Sequence, residues 1–222
     1  MARTKLKDRS LPHYTHGEEI FNMVTHIVGG AVGIIATVLC VVFSALHHDV
    51  WAVVGTAIFG ATMIALYSMS SIYHGLSPRL RAKKVFQVFD HCSIFVLIAG
   101  TYTPIALVSL REYANWLGWT IFGIIWGTAA IGITLNAIDL KQYKKFSMIC
   151  YLAMGWCIVL CAVPTYRMLT FPGVMFLLLG GISYTIGAVL FCIRKPYIHS
   201  IFHIFCVIGS LLHFFCILFY VI

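Results

Sequence analysis

Residues 198–222 read IHSIFHIFCVIGSLLHFFCILFYVI, a run with no Asp, Glu, Lys or Arg that opens on His199-Ser-Ile-Phe-His203. About 20 consecutive apolar residues suffice to cross a bilayer as a helix, so this stretch reads as a membrane span. Two histidines four residues apart lie on one face of a helix, one turn above the other. That spacing suits two imidazoles sharing a divalent metal, most often zinc. Further ligands would have to come from other segments that reach the same depth.

The rest of the chain has the same character. Of 222 residues, 61% are hydrophobic and only 10% charged, where soluble proteins carry about 25% charged residues; the mean hydropathy is +0.94. Apolar stretches recur at about 20–46, 51–73, 85–110, 116–137, 146–164 and 173–193. Short polar connections separate them, the first being His47-His48-Asp49. The expectation is an all-α integral membrane protein: a seven-transmembrane helix bundle over residues 18–222, preceded by a cytoplasmic N-terminal segment, residues 1–17. Pro104 predicts a kink in the third span, and Gly29, Gly30, Gly33, Gly123 and Gly127 predict close helix contacts.

The net charge of +8 follows topology rather than nucleic acid. Arg3, Lys5, Lys7 and Arg9 precede the first span. Arg79, Arg81, Lys83 and Lys84 follow the second; Lys141, Lys144 and Lys145 follow the fourth; Arg194 and Lys195 follow the sixth. Only Arg111 and Arg167 fall on the other side. The positive-inside rule then places the N-terminus in the cytoplasm and the C-terminus outside. No cleavable signal peptide is expected. The eight cysteines sit almost wholly in apolar segments without a CxxC pair, so they read as small buried hydrophobes.

This topology gathers ionisable residues at one face. His199 and His203 start the last span, and His74 ends the second with Ser70 one turn before it. Asp90 lies in the second turn of the third span. Glu18, Asn22 and His26 recur every four residues at the start of the first, forming either a site wall or a helix-locking polar seam. Ionisable groups at membrane depth are costly and usually face a bundle interior or cavity. Three imidazoles would leave zinc an open position for water, with Asp90 and Ser70 beside it. A metal-free hydrogen-bonded network is the alternative. Glu19, on another face, reads as solvated; His91 and His213 read as packing or structural.

These motifs resemble those of a haemolysin III-type member of the progestin and adipoQ receptor family, whose animal relatives include the adiponectin receptors. The likeness rests on Ser70-x-x-x-His74, on Phe89-Asp90-His91 followed by Gly100-Thr-Tyr-Thr-Pro104, on His199-x-x-x-His203, and on Glu18-x-x-x-Asn22-x-x-x-His26. The resemblance implies zinc held by His74, His199 and His203, with Asp90 and Ser70 around the bound water. It also implies kinship with alkaline ceramidase-like membrane hydrolases. The expected function is therefore a zinc-dependent hydrolase of the bacterial inner membrane, acting on an acyl-amide or ester bond of a lipid. The alternative is a non-catalytic sensor that binds zinc and a fatty-acyl ligand. Cation transport fits less well, because the outer half offers few ionisable groups for a relay.

Overall fold

The computed structural model describes residues 4, 6–47 and 49–222; Arg3, Lys5 and His48 lie outside them. Among the described residues the chain is helical with no strand. Six helices are long and apolar enough to cross a membrane: α1 (His16–Leu46), α2 (Val50–Gly75), α3 (Arg81–Tyr113), α4 (Asn115–Asp139), α5 (Lys144–Phe191) and α6 (Ile198–Tyr220). The sequence predicts seven. The difference lies in α5, 48 residues long, which joins the stretches expected as the fifth and sixth spans. It is irregular at two places: a 3₁₀ stretch over Cys157–Cys161, and Thr170, whose φ of 59° and ψ of 175° are not helical. The sequence reading places a polar turn there from Arg167 and Pro172, and Thr170 is where two helical stretches meet at a kink.

The first helix turns its ionisable and small residues inward and its large apolar ones outward. On α1 the buried residues are Glu18, Asn22, His26, Gly29, Gly33, Ala36, Cys40 and Ser44, a stripe at steps of three and four. That is one face of a helix. Ile20, Val24, Ile27, Ile34 and Ile35 point outward and are exposed, as suits a surface facing lipid. Helix α3 is the central member, with 83% of its most apolar window buried. Its Pro104 lacks an amide hydrogen to donate, and a π-helical turn over Ile105–Leu110 follows, wholly buried. The expected kink therefore takes the form of a widened turn.

Side-chain contacts define the two ends. At one end Arg9 donates to the Ile138 carbonyl, Tyr197 N to Glu18, and Lys83 to Glu19; Lys144 Nζ lies 5.0 Å from the Phe191 ring centre. At the other, Arg111 stacks on Trp51 and Arg167 meets Tyr113. Three of the basic clusters' members, Arg9, Lys83 and Lys144, thus share one end, opposite Arg111 and Arg167.

Close helix contacts fall at glycines, though not all the expected ones. A Cβ on Gly29 would meet the Tyr67 ring at 2.7 Å, and one on Gly33 would touch Ile64 and Met63. Gly123 and Gly127, expected in a packing seam, have open space instead. On α4 the tight position is Gly132, where a Cβ would lie 2.2 Å from Cζ of the fully buried Phe95. Gly132→Ala is therefore expected to lower stability by about 1–3 kcal/mol through overpacking. Gly123→Ala should be neutral or raise stability by up to about 1 kcal/mol, because alanine is the better helix former. Thermal unfolding in detergent reads both signs.

Candidate metal centre

Three imidazoles from two helices meet at the basic end. His74 ends α2 and His199 and His203 begin α6. Each offers one ring nitrogen, and the three atoms lie within 4.8 Å of one another. His203 Nε2 is 3.1 Å from His199 Nε2. His74 and His203 are almost fully buried. Distant chain segments meet here because α1 is packed against both α2 and α6 at its polar end.

The fourth histidine, His26 on α1, stacks on His203 with ring centres 3.8 Å apart and planes 16° apart. Asn22, one turn before it, places its amide nitrogen 3.4 Å from His74 Nδ1. Buried polar atoms almost always find a partner. Yet His74 Nε2, His203 Nδ1, both nitrogens of His26, Asn22 Oδ1 and Ser70 Oγ are buried without one among the described residues. Five residues of one locale thus hold six unpartnered polar atoms. Imidazole nitrogens facing each other at this spacing are a donor set that suits zinc, so the residues fit a metal with polar ligands beside it.

Glu18 makes the contacts of a helix-locking seam, one of its two readings, while Glu19 departs from the solvated place expected of it. The Glu18 carboxylate accepts from Thr15 N and Oγ1 and from Tyr197 N at 2.8 Å each, closing a capping box at the start of α1. It locks α1 to the α6 junction rather than lining the histidines. Glu19, expected in solvent, is only 15% exposed; its Oε2 is 2.6 Å from His74 Nδ1 and its Oε1 2.7 Å from Lys83 Nζ. Lys83, expected in the basic loop after the second span, lies in the first turn of α3 and is 1% exposed. It also donates to the carbonyls of Leu76 and His74, which end α2. The signal for Glu18 was in the sequence: Thr15-x-x-Glu18 is a capping box, and a glutamate held there leaves its neighbour for the interior.

Tyr14 completes the site from the aqueous side. Its ring stacks on His199, with centres 4.9 Å apart, and lies 5.7 Å from His74. Burial pushes the Tyr14 phenol up, with the Asp90, Glu19 and Glu18 carboxylates adding to the shift. Asp90 therefore borders the same region; it is half-buried, 3.6 Å from His91 Nδ1. The polar N-terminal segment is not wholly solvated: Arg9 is buried and Thr4 N donates to Asp139. His91 bonds the Gln87 carbonyl and His213 contacts the Leu177 carbonyl, and neither belongs to the trio. The eight cysteines are free thiols.

A cavity of about 150 Å³ runs through the core beside the site, lined among others by Ile94, Ile98, Tyr184, Phe202 and Cys206. Its walls are almost entirely apolar. Phe191 and Phe202, which line it, also pack on His199 at 5.7 and 5.3 Å between ring centres.

Fold and site together define a helical integral membrane protein with a histidine cluster, suited to a metal, at the basic end of its bundle. A family model described as Haemolysin-III related matches residues 14–214. The chain is 40% identical over 206 residues to Hemolysin-3 of Bacillus cereus, covering 92% of each chain. It is 38% identical over 208 residues to the Hemolysin-3 homolog of Bacillus subtilis (strain 168), covering 93% of this chain and 96% of that one. Identity to the human Monocyte to macrophage differentiation factor is 28% over 211 residues, 92% of this chain and 80% of the relative. The chain belongs to the haemolysin III-type members of the progestin and adipoQ receptor family.

Proposed function

We propose that this protein is a zinc-dependent membrane hydrolase that cleaves an acyl-amide or ester bond of a lipid. The observation that carries the reading is a three-histidine cluster, its ligand atoms within 4.8 Å of one another, set beside an apolar cavity that shares Phe191 and Phe202 with it. His74, His199 and His203 would hold zinc, which when bound would supply a Lewis acid and an activated water. Asp90 accepts a proton at its carboxylate and returns it to the leaving group. Ser70 offers its unpartnered hydroxyl to the reacting oxygen. The apolar cavity takes the acyl chain, excludes water from it and presents its polar end to the histidines.

The topology that suits this chemistry has the N-terminus in the cytoplasm of a bacterial cell, the site at the cytoplasmic face of the inner membrane and the C-terminus outside. In it α5 crosses twice, reversing at Thr170. A continuous helix of 48 residues would span about 72 Å at 1.5 Å per residue, more than twice the hydrocarbon core. The contact of Lys144 with Phe191 at 5.0 Å supports the reversal, as does the uneven distribution of basic residues.

The test is purified protein in lipid, analysed for metal and for fatty acid released from ceramide-like and ester lipids. Asp90→Ala is expected to keep its zinc and lose turnover by about 10²–10⁴-fold, the usual contribution of general acid–base catalysis. Zinc with no product from any lipid overturns the enzyme reading. That result would leave a sensor that binds zinc and a fatty-acyl ligand, a role the Tyr14 ring stacked over His199 also suits.

A further inference from the structure

We propose that Glu19 and Lys83 are positioning residues for the metal centre. Glu19 fixes the tautomer and orientation of His74, and Lys83 holds Glu19 in place. This inference rests on the metal reading given above.

A carboxylate accepts hydrogen bonds and cannot donate them. Glu19 Oε2, 2.6 Å from His74 Nδ1, therefore puts the ring proton on Nδ1. The lone pair of the neutral ring then sits on Nε2, the atom that is buried without a partner. Metal-bound histidines almost always donate their other ring N–H to a carboxylate, carbonyl or water, which raises ligand basicity and fixes the ring. His74 has that arrangement built in. Among the described residues neither His199 nor His203 is bonded to a carboxylate, and the carboxylate in contact with the trio is that of Glu19.

Glu19 itself would be costly at this depth without a counter-charge. Lys83 Nζ, 2.7 Å away, supplies one. Its other hydrogens point to the carbonyls of Leu76, at 2.9 Å, and His74, at 3.5 Å. The ammonium thus binds both the carboxylate and the backbone that carries the ligand. Three segments are tied at one point: the first turn of α1, the last turn of α2 and the first turn of α3. A carboxylate on a mobile side chain would hold His74 in several orientations. This one is fixed at both oxygens.

The experiment compares zinc affinity, by competition with a chromophoric chelator, for purified wild type, Glu19→Gln and Glu19→Leu in lipid. Visible spectra of the cobalt-loaded proteins provide a second readout. Glutamine keeps the shape, but its one carbonyl oxygen can accept from His74 or from Lys83 while its amide nitrogen only donates, so its apo form should fold with lower stability and its metal affinity is read on the folded protein. Its affinity should fall about tenfold, and that of Glu19→Leu about 100-fold, the range for removing an outer partner of a ligating histidine. The cobalt bands should shift in the glutamine variant, because the charge felt by the His74 ring has changed. Affinity within twofold of wild type in both variants, with unshifted bands, overturns the proposal while the metal centre stands. If Glu19→Leu fails to fold, Glu19→Gln decides alone. Wild-type protein that takes up neither zinc nor cobalt overturns the metal centre, and this inference with it.

Discussion

Replacing His203 with alanine is expected to abolish zinc uptake, with affinity lowered by more than about 100-fold. Losing only an outer partner of a ligand costs 10–100-fold, and His203 is a member of the trio itself. It also carries His26, whose ring is stacked on it at 3.8 Å, so the variant opens a gap on the α1 side. The two remaining imidazoles come from different helices and would leave a pair too sparse for zinc. The expected signature lies in stability as well as in metal content. A ligand present at 1,000 times its dissociation constant stabilises the folded state by about 4 kcal/mol. Chelator should therefore lower the unfolding temperature of the wild type and leave that of His203→Ala unmoved. Equal zinc content in the two proteins, or the same chelator response, would exclude the trio as a metal centre and return the site to a hydrogen-bonded network.

The trio was legible in the sequence because each step used a coarse property. Spacing put His199 and His203 on one face, and loop charge put the ends of the second and last spans on one side. Neither step needs the phase of a helix to better than a turn. Glu18 and Glu19 needed more. Adjacent residues on a helix point about 100° apart, so choosing between them depends on where α1 starts and how it is rotated. The regular series Glu18, Asn22, His26 is truly the buried stripe of α1; regularity showed the inward face but not which carboxylate reaches His74. The capping box at Thr15 takes Glu18 and leaves Glu19 for the ligand.

Lys83 and Arg9 were hidden for a different reason. Both belong to basic clusters whose charge reports topology, and topology says nothing of burial. Each is nonetheless packed inside the end of the bundle, where a long apolar stem lets a charged tip reach a distant partner. The break near Thr170 was announced in outline, because Arg167 and Pro172 mark a turn between two apolar stretches; that a threonine would take a positive φ there was not. The glycines make the same point: Gly123 and Gly127 have the spacing of a contact face but no neighbour, while Gly132 touches Phe95.

Lys83→Met should cost about 3–5 kcal/mol of stability, the range for removing one member of a buried ion pair. Methionine fills a similar volume, so the loss is electrostatic rather than a cavity. It leaves the Glu19 carboxylate without its counter-ion, and the carbonyls of Leu76 and His74 without the donor that ends α2. The cation over the Tyr73 ring, 5.0 Å from its centre, is lost as well. Restoring balance from the other side separates these effects. The double variant Lys83→Met with Glu19→Gln removes the orphaned charge and should recover more than half of the loss, since contacting residues are not additive. The carbonyls stay unpartnered in both proteins, and they account for the part not recovered. A Lys83→Met protein that melts within about 1 kcal/mol of the wild type would mean that Glu19 reaches water when its partner is gone. His74 would then be held by a solvated carboxylate, and the α1–α2–α3 junction would owe its stability to apolar packing alone.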